Sequence, residues 1–128
     1  MRRLFLIIFT LCAMAIPPGA NAARNQSSLH PTAHTLRLVV LTAPGCVYCA
    51  QFQKDIEPSY EKSSHSSQIP LIYIDINDEA AKDLALKGPI QVVPTVVLMD
   101  GNRELSRISG YLGPFNFFKA FKHMLAKR

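Results

Sequence analysis

LRLVVLTAPGCVYCAQFQKDIE, residues 36–57, passes from a largely apolar run into a helical pattern, with two cysteines at the change-over. Leu36 to Leu41 is apolar on nearly both faces, the composition of a central strand covered on two sides. Pro44-Gly45 stops that strand. From Cys46 to about Glu57 the apolar positions Cys49, Phe52 and Ile56 recur at helical spacing; Tyr60 continues the series, and Pro58 limits or kinks the helix. Cys46 therefore falls at a helix N-terminus, where unpaired N–H groups and the helix dipole favour an anion. Cys49, one turn on, lies under the same helical face and can reach back to it. Thiol–disulfide exchange needs two sulfurs so placed, one of them accessible and held as thiolate.

The flanking segments supply the rest of a sheet. Ile69 to Ile76 is rich in β-branched residues and carries Pro70 early, as the start of a second strand allows. Between it and the first helix, Lys62 to Gln68 reads as a Ser/His surface loop. Asp78 to Lys87 predicts a short helix with acidic residues at its start and Gly88-Pro89 at its end. Pro94 to Met99 is a third strand, and Asp100-Gly101 turns it into a fourth, about Arg103 to Ser109, polar enough to be an edge. Pro114 opens a C-terminal helix whose seam is Phe117, Phe118, Phe121, Met124 and Leu125, while Lys119, Lys122 and Lys127 face water. The order β-α-β-α-β-β-α gives a parallel βαβ half with a right-handed crossover, then an antiparallel hairpin closed by a helix. The class is α/β: a mixed four-stranded sheet with helices on both faces.

Residues 1–22 read as an export signal. Arg2 and Arg3 form a short positive start, Leu4 to Ile16 is a thirteen-residue apolar stretch, and Ala20-Asn21-Ala22 precedes a cleavage point at Ala23. Spanning a bilayer takes about 20 apolar residues, so the stretch is short for an anchor. Arg2-Arg3-Leu4-Phe5-Leu6 looks like the core of a twin-arginine signal, although so short a start before so apolar a stretch favours the general secretory route. Cys12 lies inside that stretch and follows Leu11 rather than a small residue, so it is expected to leave with the signal. Residues 23–34 are a polar, flexible lead, and residues 35–128 form the single domain.

Cleavage simplifies both charge and cysteine count. Losing Arg2 and Arg3 lowers the formal charge from +5 to +3, carried by dispersed residues such as Arg37, Lys54, Lys62, Lys82, Lys87, Arg103, Arg107 and Lys119. No basic run or interleaved aromatics mark a nucleic-acid surface, so no nucleic-acid partner is expected. Only Cys46 and Cys49 remain, which rules out a multi-disulfide scaffold. One CxxC in an exported chain points to an oxidising compartment, the periplasm. A structural staple is the weak reading of the pair, because closing so short a loop stabilises by only about 2 kcal/mol.

The chain resembles the thioredoxin fold over nearly all of its mature length, about Thr35 to Lys127. Three pieces carry the likeness: Ala43-Pro44-Gly45-Cys46-Val47-Tyr48-Cys49 after the first strand, Val93-Pro94-Thr95 opening the third, and Gly110-Tyr111 before the last helix. More narrowly it is similar to small exported SoxS-type thioredoxins, which are associated with sulfur oxidation and keep a thiol carrier protein reduced. The resemblance implies a cis Val93–Pro94 peptide facing the cysteines, with the Val93 backbone able to pair with an extended substrate segment. Cys46 is the expected nucleophile and Cys49 the resolving thiol, their redox-active disulfide serving without another cofactor. Val93, Pro94, Tyr48 and Gly45 are the expected substrate-side residues, although Tyr48 reads equally as a surface aromatic. Two departures stand out: Val40 occupies the place of a buried Asp that assists proton transfer in thioredoxins, and Gly45 replaces the Trp before the first cysteine.

The direction of electron flow stays open at this level. Val47-Tyr48 is neither the Gly-Pro of reducing thioredoxins nor the Pro-His of strong oxidants. Those extremes, near −270 and −120 mV, lie about 7 kcal/mol apart for two electrons. The subgroup resemblance favours a reductant acting on a protein or small disulfide. It would draw electrons from a membrane-embedded thiol donor, since no NADPH or flavin motif is present. The alternatives are a periplasmic oxidant or isomerase, and a copper(I) metallochaperone. For the last, Cys46 and Cys49 supply only two soft ligands, and His65 and His123 stand at no ligand-like spacing. No metal site is expected. Isomerase work usually needs a dimer, and without a dimerisation segment the chain is expected to be a monomer.

Overall fold

In the computed structural model, which describes residues 35–128, the apolar run becomes β1, Leu36–Thr42, and the cysteine helix becomes α1, Val47–Glu61. There follow β2 (Leu71–Asp75), α2 (Glu79–Lys82), β3 (Thr95–Asp100), β4 (Arg103–Ser109) and α3 (Pro114–Ala126). The export signal, Cys12 and the lead of residues 23–34 lie outside the described residues. The strand order is β2-β1-β3-β4, with β1 parallel to β2 and antiparallel to β3, and β3 antiparallel to β4. This is the expected mixed sheet, with the polar β4 on an edge.

Strand alternation builds two cores. Leu38, Val40, Val96 and Leu98 face α1 and α3, meeting Phe52, Ile56, Tyr60, Phe117, Phe121 and Met124. Val39, Leu41, Val97 and Met99 point the other way, where Leu84 closes over them with Ala81, Leu86 and Ile90. All four residues from Leu38 to Leu41 are fully buried. Each contributes about 1.5–3 kcal/mol relative to exposure. This fixes the end of β1, and with it the turn that presents Cys46.

Two elements differ from the sequence expectation. α1 runs through Pro58 to Glu61 rather than ending near Glu57. Its last turn is fixed from outside: Tyr60 is buried and donates its hydroxyl hydrogen to the Ile69 carbonyl. Burial raises the Tyr60 hydroxyl pKa to about 12. Tyr60→Phe will leave that carbonyl without its donor and destabilise the domain by about 1–3 kcal/mol, read as a lowered urea midpoint. α2 is shorter than expected, four residues from Glu79 to Lys82. Beyond it the chain pairs with β4 instead of continuing helical. Ala85 N–H donates to Asn102 O at 3.1 Å, Glu104 N–H to Ala85 O at 3.3 Å, and Asn102 Nδ2 to Asp83 O at 2.6 Å. Tertiary pairing along an otherwise open strand edge overrides local helix propensity here.

A register shift in the β3–β4 ladder has a further result. Met99 faces Glu104 while Leu98 faces Ser106, so β4 carries one extra residue, Leu105. A residue and its third neighbour on a regular strand point to opposite faces; the extra residue restores them to the same one. Glu104 and Arg107 therefore meet: Arg107 Nε donates to Glu104 Oε1 at 2.7 Å and Nη2 to Oε2 at 2.6 Å. Arg107 is thus no solvated surface cation, and Glu104 is only 2% exposed. The Arg107 hydrogen bonds, helped by the Lys87 N–H, hold the Glu104 carboxyl below its ordinary value of 4.5 against the opposing effect of burial. A carboxyl with a lowered folded-state pKa stabilises fully above about pH 4.5 and loses that contribution as pH falls through the folded value. Wild type will therefore lose stability below pH 4.5 more steeply than Glu104→Gln, in urea melts taken across that range.

Candidate active site

Gly45 makes the turn that ends β1. Its φ of 71° is open to glycine at little cost, and Cys46 N–H closes the turn on Ala43 O at 3.3 Å. Cys46 then stands as the N-cap of α1, in extended geometry at φ −73° and ψ 104°. Its side chain takes the place of the usual capping oxygen: Cys49 N–H donates to Cys46 Sγ at 3.1 Å. The donor is one of the N–H groups left unpaired at a helix start, and it carries the positive end of the dipole. A negative charge on Cys46 Sγ in the reduced protein would be stabilised at that point.

The cysteines form a disulfide with Cα atoms 5.2 Å apart. They differ sharply in environment. Cys46 is half-buried at the surface, whereas Cys49 is 7% exposed against the core face of α1. Of the two sulfurs, that of Cys46 is thus the more open to solvent.

The second expected piece lies opposite. The Val93–Pro94 peptide is cis, and Val93 O lies 3.8 Å from Cys46 Sγ. Pro94 is buried, its carbonyl accepts from Gly110 N–H at 2.9 Å, and Thr95 Oγ1 donates to Val92 O at 2.6 Å. The structure therefore brings Cys46, Cys49 and Val93-Pro94 together. Tyr48 is 66% exposed and Val47 77%, so both flank the disulfide as surface groups.

The third piece of sequence, Gly110-Tyr111, joins through contacts that no spacing reveals. Tyr111 packs edge-on against Phe52 of α1 at 5.3 Å and donates to Asp55 Oδ2 at 2.9 Å. Burial, and then the bond to Asp55, raise the Tyr111 hydroxyl pKa to about 12. Val40 is fully buried among apolar neighbours, so the core beneath α1 carries an apolar side chain at this position. Beside the disulfide opens a cleft of about 550 Å³ lined in part by Ala43, Gly45, Cys46, Cys49, Gln53 and Tyr73. The buried Tyr73 hydroxyl has no hydrogen-bond partner among the described residues. Burial, then Glu57 and Glu61, push its pKa upward. His65 packs its ring edge-on against Phe121, with centroids 5.5 Å apart.

Comparison with known proteins agrees with this geometry. A family described as "Thioredoxin-like domain" matches residues 27–125. The crystal structure of the periplasmic thioredoxin SoxS from Paracoccus pantotrophus, in its reduced form, superposes with a TM-score of 0.67 at 32% identity, covering 72% of this chain and 97% of that one. The germline-specific thioredoxin Deadhead from Drosophila melanogaster shares the fold, with a TM-score of 0.54 at 21% identity, covering 76% of this chain and 84% of that chain. Among curated proteins, protein disulfide-isomerase of Ricinus communis is 29% identical over 121 residues, 82% of this chain. The Hordeum vulgare protein disulfide-isomerase is 35% identical over 83 residues, 60% of this chain. The chain spans 23% and 15% of the length of those two relatives. Fold, cysteine pair and family match converge: this chain belongs to the thioredoxin-like domain family, as an oxidoreductase domain with a CxxC disulfide between Cys46 and Cys49.

Proposed function

We propose that the protein is an exported thiol–disulfide oxidoreductase of the periplasm that reduces a disulfide in a partner protein. One observation carries the reading: the sulfur of Cys46 caps α1, receives the Cys49 N–H at 3.1 Å and faces the Val93 carbonyl at 3.8 Å. In the reduced protein Cys46 is the thiolate. It attacks one sulfur of the partner disulfide, forming a mixed disulfide and releasing the partner's other sulfur as a thiolate. Cys49 then loses its proton and attacks Cys46 Sγ, so the Cys46–Cys49 disulfide re-forms and the partner leaves with two reduced sulfurs. An extended partner segment lies against the backbone of Val93, with Gly45 leaving room and Tyr48 at the rim. Each turnover leaves the pair oxidised, so two electrons must return from a thiol donor, for which a membrane-embedded carrier is the fitting class.

Similarity to the periplasmic thioredoxin SoxS, matched over 97% of that chain, supports a thioredoxin-type activity and the compartment. The protein disulfide-isomerase relatives favour a second reading, in which the pair donates or reshuffles disulfides. The equilibrium potential of the purified domain against glutathione separates the two. A reductant lies below about −230 mV, and a value near −120 mV makes the protein an oxidant of folding chains.

A further inference from the structure

We propose that Glu104 and Arg107 are positioning residues for the partner-binding element, acting on the backbone that leads into Val93-Pro94. The inference rests on the reading that this element receives the partner segment. Downstream of Pro94 the chain is fixed by the sheet, since β3 is paired on both sides. Upstream, α2 ends at Lys82, leaving residues 83–93 without a helix or strand of their own. Side chains from β4 hold this stretch. Glu104 Oε2 accepts from Lys87 N–H at 2.8 Å. Arg107 Nη2 donates to Gly88 O at 3.1 Å, and Nη1 to Pro89 O at 3.2 Å. Three successive residues are thus gripped through their backbones by two side chains that also bind each other.

Chemistry explains the choice of residues. A buried carboxylate is costly unless paired, and a buried ion pair stabilises little more than apolar residues of the same size. Global stability therefore does not require that this position hold an ion pair, provided both partners are replaced together by apolar residues. The pair's specific contribution is geometric: a planar guanidinium can bind a carboxylate and two carbonyls in one fixed arrangement, and a lysine cannot. Three residues separate Pro89 from Val93, and one of them, Ile90, packs onto the second core. Little slack remains between the grip and the carbonyl that faces Cys46.

The test pairs two substrates with the full mature protein. Insulin offers a polypeptide disulfide that needs the docking backbone; dithiothreitol reacting with the oxidised pair needs only access to the half-buried Cys46 sulfur. In Arg107→Lys and Glu104→Gln we expect KM for insulin to rise about ten- to a hundredfold, with kcat and the dithiothreitol rate unchanged. The double variant Glu104→Leu/Arg107→Met guards against misfolding: it is expected to keep the wild-type urea midpoint yet show the same rise in KM. Folded variants with wild-type KM overturn the inference alone, as does a parallel fall in both rates. A wild type that does not reduce insulin overturns the docking reading and the inference together.

Discussion

Cys49→Ser will accumulate a covalent mixed disulfide with the partner through Cys46, and Cys46→Ser will accumulate none. The asymmetry follows from where the two sulfurs sit. Cys46 is half-buried at the helix start and Cys49 is 7% exposed beneath it. A partner sulfur approaching from solvent meets Cys46, and only Cys49 is placed to break the resulting bond. Without Cys49 the intermediate waits for an external thiol; without Cys46 it never forms. Turnover of a protein disulfide should fall to background in both variants. Non-reducing gels of cells expressing each variant read the adducts directly. Equal trapping by the two would reverse or erase the assigned roles.

Phe52→Ala will destabilise the domain by about 3–5 kcal/mol. That is a large share of the roughly 5–15 kcal/mol that holds a domain of ordinary stability. Phe52 is one turn beyond Cys49, almost wholly buried, and meets Tyr111 edge-on at 5.3 Å and Phe117 at 5.1 Å. One ring thus joins the helix bearing the cysteines to the Gly110-Tyr111 loop and to α3. Deleting it leaves a cavity that neither a helix end nor a strand can collapse to fill. Equilibrium unfolding in urea measures the loss. A cost near 1 kcal/mol would mean the site is held by the disulfide and the turn rather than by packing beneath it.

Strong periodicity made the core of this fold readable. Cys49, Phe52, Ile56 and Tyr60, the seam predicted for α1, are its four buried residues. Leu38 to Leu41, continuous rather than alternating, identified the strand covered on both faces. The cysteine pair was equally plain, because a helix start is a local feature with local signals. Misplaced helix ends, and contacts the sequence does not show, came where distant partners overrule neighbours. Pro58 does not end α1, since Tyr60 is fixed by Ile69 from across the loop. Ala85 leaves helical geometry because the edge of β4 offers it hydrogen bonds. Glu104 and Arg107, three apart on a strand, should face opposite ways; a single extra residue in the β4 register joins them. Tyr111 and Asp55, 56 residues apart, are linked only by the finished fold.

The account depends on Cys46 being the accessible thiolate of the reduced protein, ionised by the start of α1. Alkylation with iodoacetamide across pH 4 to 10, with the modified residue read by mass spectrometry, measures this directly. We predict that Cys46 alone reacts near neutral pH, with a midpoint below about 7.5, well under the 8.5 of a free thiol. Equal modification of Cys46 and Cys49, or a Cys46 midpoint at about 8.5 or above, would contradict it.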